Sequence, residues 1–286
     1  MQIRTDLALE QKEMHRDLPH GVESREIKKG DALITKITVK NDEGSKALGK
    51  PIGVYTTIEV PPFSDNLRDD ELINTVANEL ISLLPQKGDV LVVGLGNRSI
   101  TPDALGPKAA EGILATRHIS GEIRRVAGIE DIRTVSVISP GVLGQTGIEV
   151  FNLLKGIVDE IKPDCIIAID ALASRYLKRL GCTVQMCDSG IEPGAGVGNA
   201  RHEISEKTLG VKVIAMGVPT VTDAATLVYD LMGKTPDTVE PDGRQMIITP
   251  REVDLLITRA AGLIADAVNL AMHPTTPQYI IKELLA

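Results

Sequence analysis

The chain of 286 residues contains no tryptophan, and Phe, Trp and Tyr together make up 2% of it. So small an aromatic supply excludes the stacking platform on which single-stranded nucleic acids are bound. Positive charge is also short, with 31 Lys and Arg against 39 Asp and Glu and a formal net charge of −8. That balance is opposite to the footprint of a phosphate-backbone binder. There is no run of about 18 apolar residues, and the N-terminus MQIRTDLALEQKEMHRD is charged where a secretion signal carries an apolar stretch. The expectation is a cytoplasmic protein with neither a membrane nor nucleic acid as a direct partner. The three cysteines, Cys165, Cys182 and Cys187, are an odd count without C-x-x-C spacing. They read as structural thiols in a reducing compartment. The five histidines are scattered and form no H-E-x-x-H. His118 and His273 therefore read as structural, Ser189 lacks an evident histidine partner, and neither a metal nor another cofactor is expected.

What is present is an ordinary globular balance, 43% hydrophobic and 24% charged, enough for one α/β domain spanning 1–286. Residues 7–30 are polar, carry both charge signs and have no apolar period, so they read as an irregular N-terminal arm. Between Ile27 and Val60 the alternations LITKITV and VYTTIEV predict antiparallel strands. Asp69 to Leu84 has helical spacing at Leu72, Val76, Leu80 and Leu83. Strand and helix patterns then alternate. DVLVVGL (89–95) precedes a helix from about Pro107 to Arg117, and TVSVI (134–138) a helix from Gly147 to Ile161. CIIAIDA (165–171) precedes a helix at about Leu172–Leu180, and KVIAMGV (212–218) precedes helices near 222–233 and 250–272. Short apolar runs without alternation mark strands covered on both faces, so the fold class is a three-layer αβα arrangement around a mostly parallel sheet, with antiparallel strands near the N-terminus. Gly233–Arg244, rich in Pro, Asp and Gly, reads as a surface loop.

In such sheets reactive groups gather beyond the carboxyl ends of the strands, and three loops qualify. VVGLGNRSITPDALGP (92–107) resembles a nucleotide loop, but Ser99 stands where a dinucleotide fingerprint needs its third glycine, and the following helix is delayed. Its distinguishing residue becomes Asp103, either a helix cap or a reactive carboxylate. In CIIAIDALASR, Asp170 follows five apolar residues and requires either solvent or hydrogen-bonding partners; it too could cap a helix. Two neighbouring strands that each deliver an aspartate would form a carboxylate pair, one member protonated and the other a base, able to activate water and protonate an amide leaving group. The third loop, DSGIEPGAGVGNARHEIS (188–205), has the glycine density that allows close approach of a substrate backbone. Gly194, Gly196 and Gly198 are candidates to line a substrate cleft, and Arg175 and Arg201 are candidate cations for an acidic substrate residue, each also readable as a surface charge.

Taken together, VVGLGN…TPDALGPKA, VISPGVLGQTGIE, IIAIDALASR, DSGIEPGAGVGN and ITPREVD resemble the germination protease family, in order from Arg4 to about His273. The resemblance implies an atypical aspartic-type endopeptidase that degrades small acid-soluble spore proteins in the forespore and spore core. It also implies a zymogen, a homotetramer, no metal, and a fold similar to that of the hydrogenase maturation proteases. The family's two functional aspartates carry over to Asp103 and Asp170. Its zymogen cleavage sequence carries over to Arg4-Thr5-Asp6-Leu7-Ala8, with the cut between Asp6 and Leu7 and residues 1–6 as propeptide. TDLALE (5–10) also resembles the T-E-[FI]-A-S-E site of the substrates, so the arm reads as a tethered pseudo-substrate. Two departures are a short propeptide and an abbreviated stretch between Tyr229 and Pro250. Outside the aspartic reading stand a metal-dependent maturation-type peptidase and a non-catalytic spore-protein-binding module.

Overall fold

The computed structural model describes residues 5–64, 70–119, 121–126, 129, 132–198, 201–232, 246–276 and 278–285. Arg4 and the Gly233–Arg244 segment lie outside the described residues. After helix α1 (Ala8–Glu13), strands β1 (Val22–Lys29) and β2 (Ala32–Val39) form a hairpin, and α2 (Asp42–Leu48) leads to β3 (Gly53–Glu59). Then come α3 (Asp70–Leu83), β4 (Val90–Gly94), α4 (Leu105–Glu111), α5 (Gly121–Val126), β5 (Val135–Ile138), α6 (Leu143–Thr146) and α7 (Val150–Ile161). The C-terminal half adds β6 (Cys165–Ala173), β7 (Thr183–Cys187), α8 (Glu206–Leu209), β8 (Lys212–Asp223), α9 (Ala224–Met232), β9 (Ile247–Ile248), α10 (Val253–Met272) and α11 (Gln278–Leu285).

The strands join in the order β1-β2-β3-β7-β8-β6-β4-β5, with β9 on β8. Pairing is parallel across β8-β6-β4-β5 and antiparallel from β8 through β7 to the N-terminal hairpin, so the sheet is mixed. Its two faces read directly from the period of two. In β4 and β6, Val90, Val92, Cys165, Ile167 and Ile169 enter one core with α3, α4 and α10. Leu91, Val93, Ile166 and Ala168 enter the other with Leu154 and Val158 of α7 and Leu209 of α8. These strand residues are at most 1% exposed, and full burial of each Val, Leu or Ile contributes about 1.5–3 kcal/mol. Helix α10 is long and apolar enough by composition to cross a membrane, but 67% of its apolar 18-residue stretch is buried within the protein, and it packs against α3 and α4. The expected three-layer αβα class is therefore the observed one.

Several boundaries differ from the sequence reading. The helix expected at Leu172–Leu180 is absent: β6 continues to Ala173, because Ala171, Leu172 and Ala173 still pair with Val218, Pro219 and Val221 of β8. Only a 3-10 turn at Leu177–Arg179 follows. The helix expected to reach Arg117 stops at Glu111, where Gly112 lies so close to Ala265 of α10 that an added Cβ would come within 2.9 Å of its side chain. The arm expected to be irregular over 7–30 holds α1 and β1. Leu7, Ala8, Leu9 and Glu10 are at most 3% exposed, their burial supplied by the cleft described next and not by any period of their own.

Candidate active site

The loop after β4 uses its glycines for packing. A Cβ on Gly94 would meet Gly106 O at 2.2 Å, and one on Gly106 would meet Leu95 O at 2.3 Å and Ile169 O at 2.4 Å. These glycines let the start of α4 press onto β4 and β6, a contact that any side chain would prevent. Asp103 ends the 3-10 turn Thr101–Asp103. It does not cap α4, whose N-cap is Ala104 without a side-chain bond. Instead its Oδ2 accepts Asn97 N–H at 2.7 Å. Asp170 is the sixth of the nine residues of β6, not a strand terminus, and is 6% exposed. Its Oδ1 accepts its neighbour's Ala171 N–H at 2.9 Å.

The two aspartates feel one another. Burial raises the Asp170 carboxyl well above its ordinary value, and the charges of Asp103 and then Asp6 raise it further, against the Ala171 hydrogen bond. Burial also raises Asp103, opposed by Asn97. Asp170 therefore keeps its proton in conditions where a solvated aspartate is ionised. Asp170, but not Asp103, is among the described residues lining a cleft of about 540 Å³.

That cleft holds the chain's own N-terminal segment. Its wall includes Thr5, Asp6, Lys50, Asp170 and Gln185, together with Gly194, Gly196 and Gly198. Beyond Ile169 the strand β4 no longer accompanies β6, and Asp6 takes the freed place. Asp6 N–H donates to Ala173 O at 2.9 Å, and Ala173 N–H donates to Asp6 Oδ2 at 2.7 Å. Gly196 N–H also donates to the Asp6 carboxylate. It is presented by a 3-10 turn, Ala195–Val197, flanked by Gly194 and Gly198 at φ 76° and 73°, left-handed positions that glycine adopts without strain. Burial raises Asp6, with Lys50 and these two amides opposing.

Further along the segment, Glu10 is fully buried. Its carboxylate accepts Arg175 N–H at 2.7 Å and Tyr176 N–H at 3.0 Å, and also the Thr5 hydroxyl. Burial raises its pKa against these bonds. Arg179, its side chain 3% exposed, lies 3.6 Å from Glu10 and bonds Glu13 at 2.6 Å and Glu59 at 3.1 Å.

Neither predicted cation is on the cleft wall among the described residues. Arg175 stacks over the Tyr176 ring at 4.7 Å and the Tyr229 ring at 5.8 Å, and its backbone N–H reaches the segment. Arg201 lies 3.8 Å from Glu149. The cation beside Asp6 is Lys50, whose ammonium burial lowers in pKa while Asp6, Cys187 and Glu10 oppose the shift. Lys50, Gln185 and Arg179 carry no sequence signal of their own. The Ser189 hydroxyl donates to Tyr55. All three cysteines are free thiols. Among the described residues no three of His, Cys, Asp and Glu converge in a set able to hold a metal ion.

The fold and the cleft thus define a three-layer α/β protein whose buried, proton-retaining aspartate shares a cleft with the segment that leads into α1. The germination protease family matches residues 2–235, and the chain belongs to that family of peptide-bond hydrolases. It is 43% identical to the germination protease of Caldanaerobacter subterraneus subsp. tengcongensis over 99% of this chain and 98% of that one. It is 42% identical to that of Clostridium tetani over 96% of each, and 34% identical to that of Priestia megaterium over 96% and 95%. Among solved structures, the [NiFe] hydrogenase maturation protease HycI from Thermococcus kodakarensis aligns over 66% of this chain and 98% of its own, at 18% identity and a TM-score of 0.36.

Proposed function

We propose that this germination protease is an aspartic-type endopeptidase that uses Asp103 and Asp170, is made as a zymogen, and cuts itself between Asp6 and Leu7. The observation that carries the reading is the seat of residues 5–10. An acidic residue is held by two backbone amides beside Asp170, and a glutamate four positions on is held by two more. Backbone amides that clasp a carboxylate select acidic residues with no cation required. The same seat suits the T-E-[FI]-A-S-E site of small acid-soluble spore proteins. These are the proposed substrates, in the cytoplasm of the forespore and spore core, with the enzyme acting as a homotetramer.

The chemistry follows from the two environments. Asp103 is only half-buried and accepts a backbone N–H, so it is the first of the pair to ionise and serves as base toward a water. Asp170 holds its proton and delivers it to the departing nitrogen. Because the two are coupled, activity follows the apparent pKa values of the pair.

The test incubates the full chain, with and without a small acid-soluble spore protein, beside its Asp103→Asn, Asp170→Asn and Asp6→Lys variants, and maps the products by mass spectrometry. Cleavage after Asp6 and after acidic residues of the substrate is expected in the wild type. Either asparagine variant should lack both, and Asp6→Lys should lack self-cleavage. Cleavage that survives in either asparagine variant moves the chemistry elsewhere, and loss on chelation of metal ions would favour a metallopeptidase instead.

A further inference from the structure

Asp6 is held in the cleft by more than its carboxylate. Its main-chain carbonyl, which belongs to the peptide bond read above as scissile, accepts Lys50 Nζ at 2.9 Å and Gln185 Nε2 at 2.9 Å. Lys50 Nζ also lies 3.4 Å from Thr5 O. The orientation of the Gln185 amide is fixed by its other end, since Oε1 accepts Ala8 N–H at 2.9 Å and so the NH2 must face Asp6 O. Lys50 follows Gly49, the left-handed C-cap of α2. Gln185 stands buried on β7 opposite Gly217 of β8. One donor is thus a half-buried ammonium on the cleft wall and the other a neutral amide fixed in the sheet.

We propose that Lys50 and Gln185 form the oxyanion hole of this peptidase, an assignment that rests on the endopeptidase reading of the same cleft. A water oxygen forms a bond to the Asp6 carbonyl carbon and gives its proton to Asp103. The carbonyl π pair moves onto the oxygen, where the Lys50 ammonium and the Gln185 amide N–H meet the developing negative charge. Collapse restores the carbonyl and breaks the bond to the Leu7 nitrogen, which takes the Asp170 proton. The products are a chain ending in Asp6 and a chain beginning with the Leu7 amine. Donors fixed in a water-poor site need no reorganisation as charge appears, which is why each typically contributes 10²–10³-fold in rate.

Lys50 acts on the Asp6 carboxylate through its charge, but its hydrogen bonds point to the carbonyl role. The Lys50 hydrogen bonds go to carbonyl oxygens, whereas the Asp6 carboxylate is held by the Ala173 and Gly196 amides. Gln185 adds a second function: by holding the carbonyl before the cut and the N–H two residues later, it fixes the orientation of the peptide bond between them. That contact is to backbone and so serves any substrate sequence.

The experiment follows self-cleavage of the full chain by quantitative mass spectrometry in wild type, Lys50→Met, Lys50→Arg, Gln185→Met and Asp170→Asn. Hydrogen exchange of residues 5–10 reports whether the segment stays seated. The expected result is a first-order rate about 10²–10³-fold lower in Lys50→Met and in Gln185→Met, partial recovery in Lys50→Arg, and unchanged protection of the segment. Repeating Lys50→Met in an Asp6→Asn chain separates the two roles of a cation: loss by the same factor is expected of a carbonyl donor, and disappearance of the loss marks a counter-ion of the Asp6 carboxylate and overturns the assignment. A rate within threefold of wild type in either methionine variant, or a loss that accompanies release of the segment, also overturns it. Cleavage that persists in Asp170→Asn overturns the aspartic-type reading on which the assignment rests, and its absence in the wild-type chain overturns the self-cleavage reading.

Discussion

Replacing Gly196 with alanine isolates the seat of the acidic residue from the rest of the cleft. The turn that carries Gly196 does not put it at positive φ, so alanine adopts the same backbone without strain. A Cβ there would lie 2.2 Å from Asp6 Oδ2, 2.6 Å from Cγ and 2.7 Å from Oδ1, where ordinary contact is about 3.5–4 Å. The three nearest atoms all belong to one flexible side chain, so the fold is spared and the carboxylate must retreat by more than an ångström. That retreat breaks the Gly196 N–H bond to the carboxylate. A hydrogen bond to a charged group contributes about 1.5–3 kcal/mol, which corresponds to roughly 10–150-fold in rate. Gly196→Ala should therefore slow self-cleavage after Asp6 by about that factor while its Tm stays within about 2 °C of wild type. The assay is the mass-spectrometric time course of the full chain, with thermal unfolding as control. Self-cleavage at an unchanged rate and position would show that the carboxylate is not seated at Gly196 when the bond is cut, and would refute the reasoning.

Arg179→Met should destabilise the chain by roughly 3–5 kcal/mol, the cost of leaving buried carboxylates without their cation, nearer the lower figure because Glu13 and Glu59 remain 33% and 28% exposed. At about 2–4 °C per kcal/mol for a large domain, a Tm drop below 2 °C would show that Glu10 needs only its hydrogen-bond donors and not the Arg179 charge. Asp170→Asn should stabilise the protein while it abolishes cleavage, and the sign depends on pH. Because folding raises Asp170 above its ordinary 3.8, the folded chain binds that proton more tightly. Its stabilising effect is complete below about pH 4 and is lost as pH rises through the folded value. The asparagine variant, neutral throughout, should gain Tm over wild type at pH 8 and show a smaller difference at pH 4; an equal difference at both would exclude a raised pKa at Asp170.

The parts of this molecule that were legible in its sequence are those that chemistry forces on short segments. The strands β4, β6 and β8 are apolar runs because each is covered on both faces, and Asp170 stands out because a carboxylate inside such a run must have a reason to be there. Strand β7 carries no strand signal because TVQMC is short and partly polar, and its Gln185 is polar for the sake of a residue 179 positions away. Lys50 reaches across 44 positions from a connection whose composition marks only a turn. A helix of six residues such as ALEQKE is too short to be stable alone, and α1 exists because the cleft binds the segment that precedes and begins it. Arg175 and Arg201 are not on the cleft wall among the described residues, and the groups that hold the Asp6 carboxylate are backbone amides. Recognition by the N–H groups of Ala173 and Gly196 leaves no mark in side-chain identity beyond the glycines that let the loop approach. In the proposed mechanism the donors divide by position: amides hold the side chain that selects the site, and side chains hold the carbonyl that accepts charge. That mechanism predicts that specificity and rate in this cleft separate by mutation, since Gly196 touches the first and Lys50 with Gln185 the second.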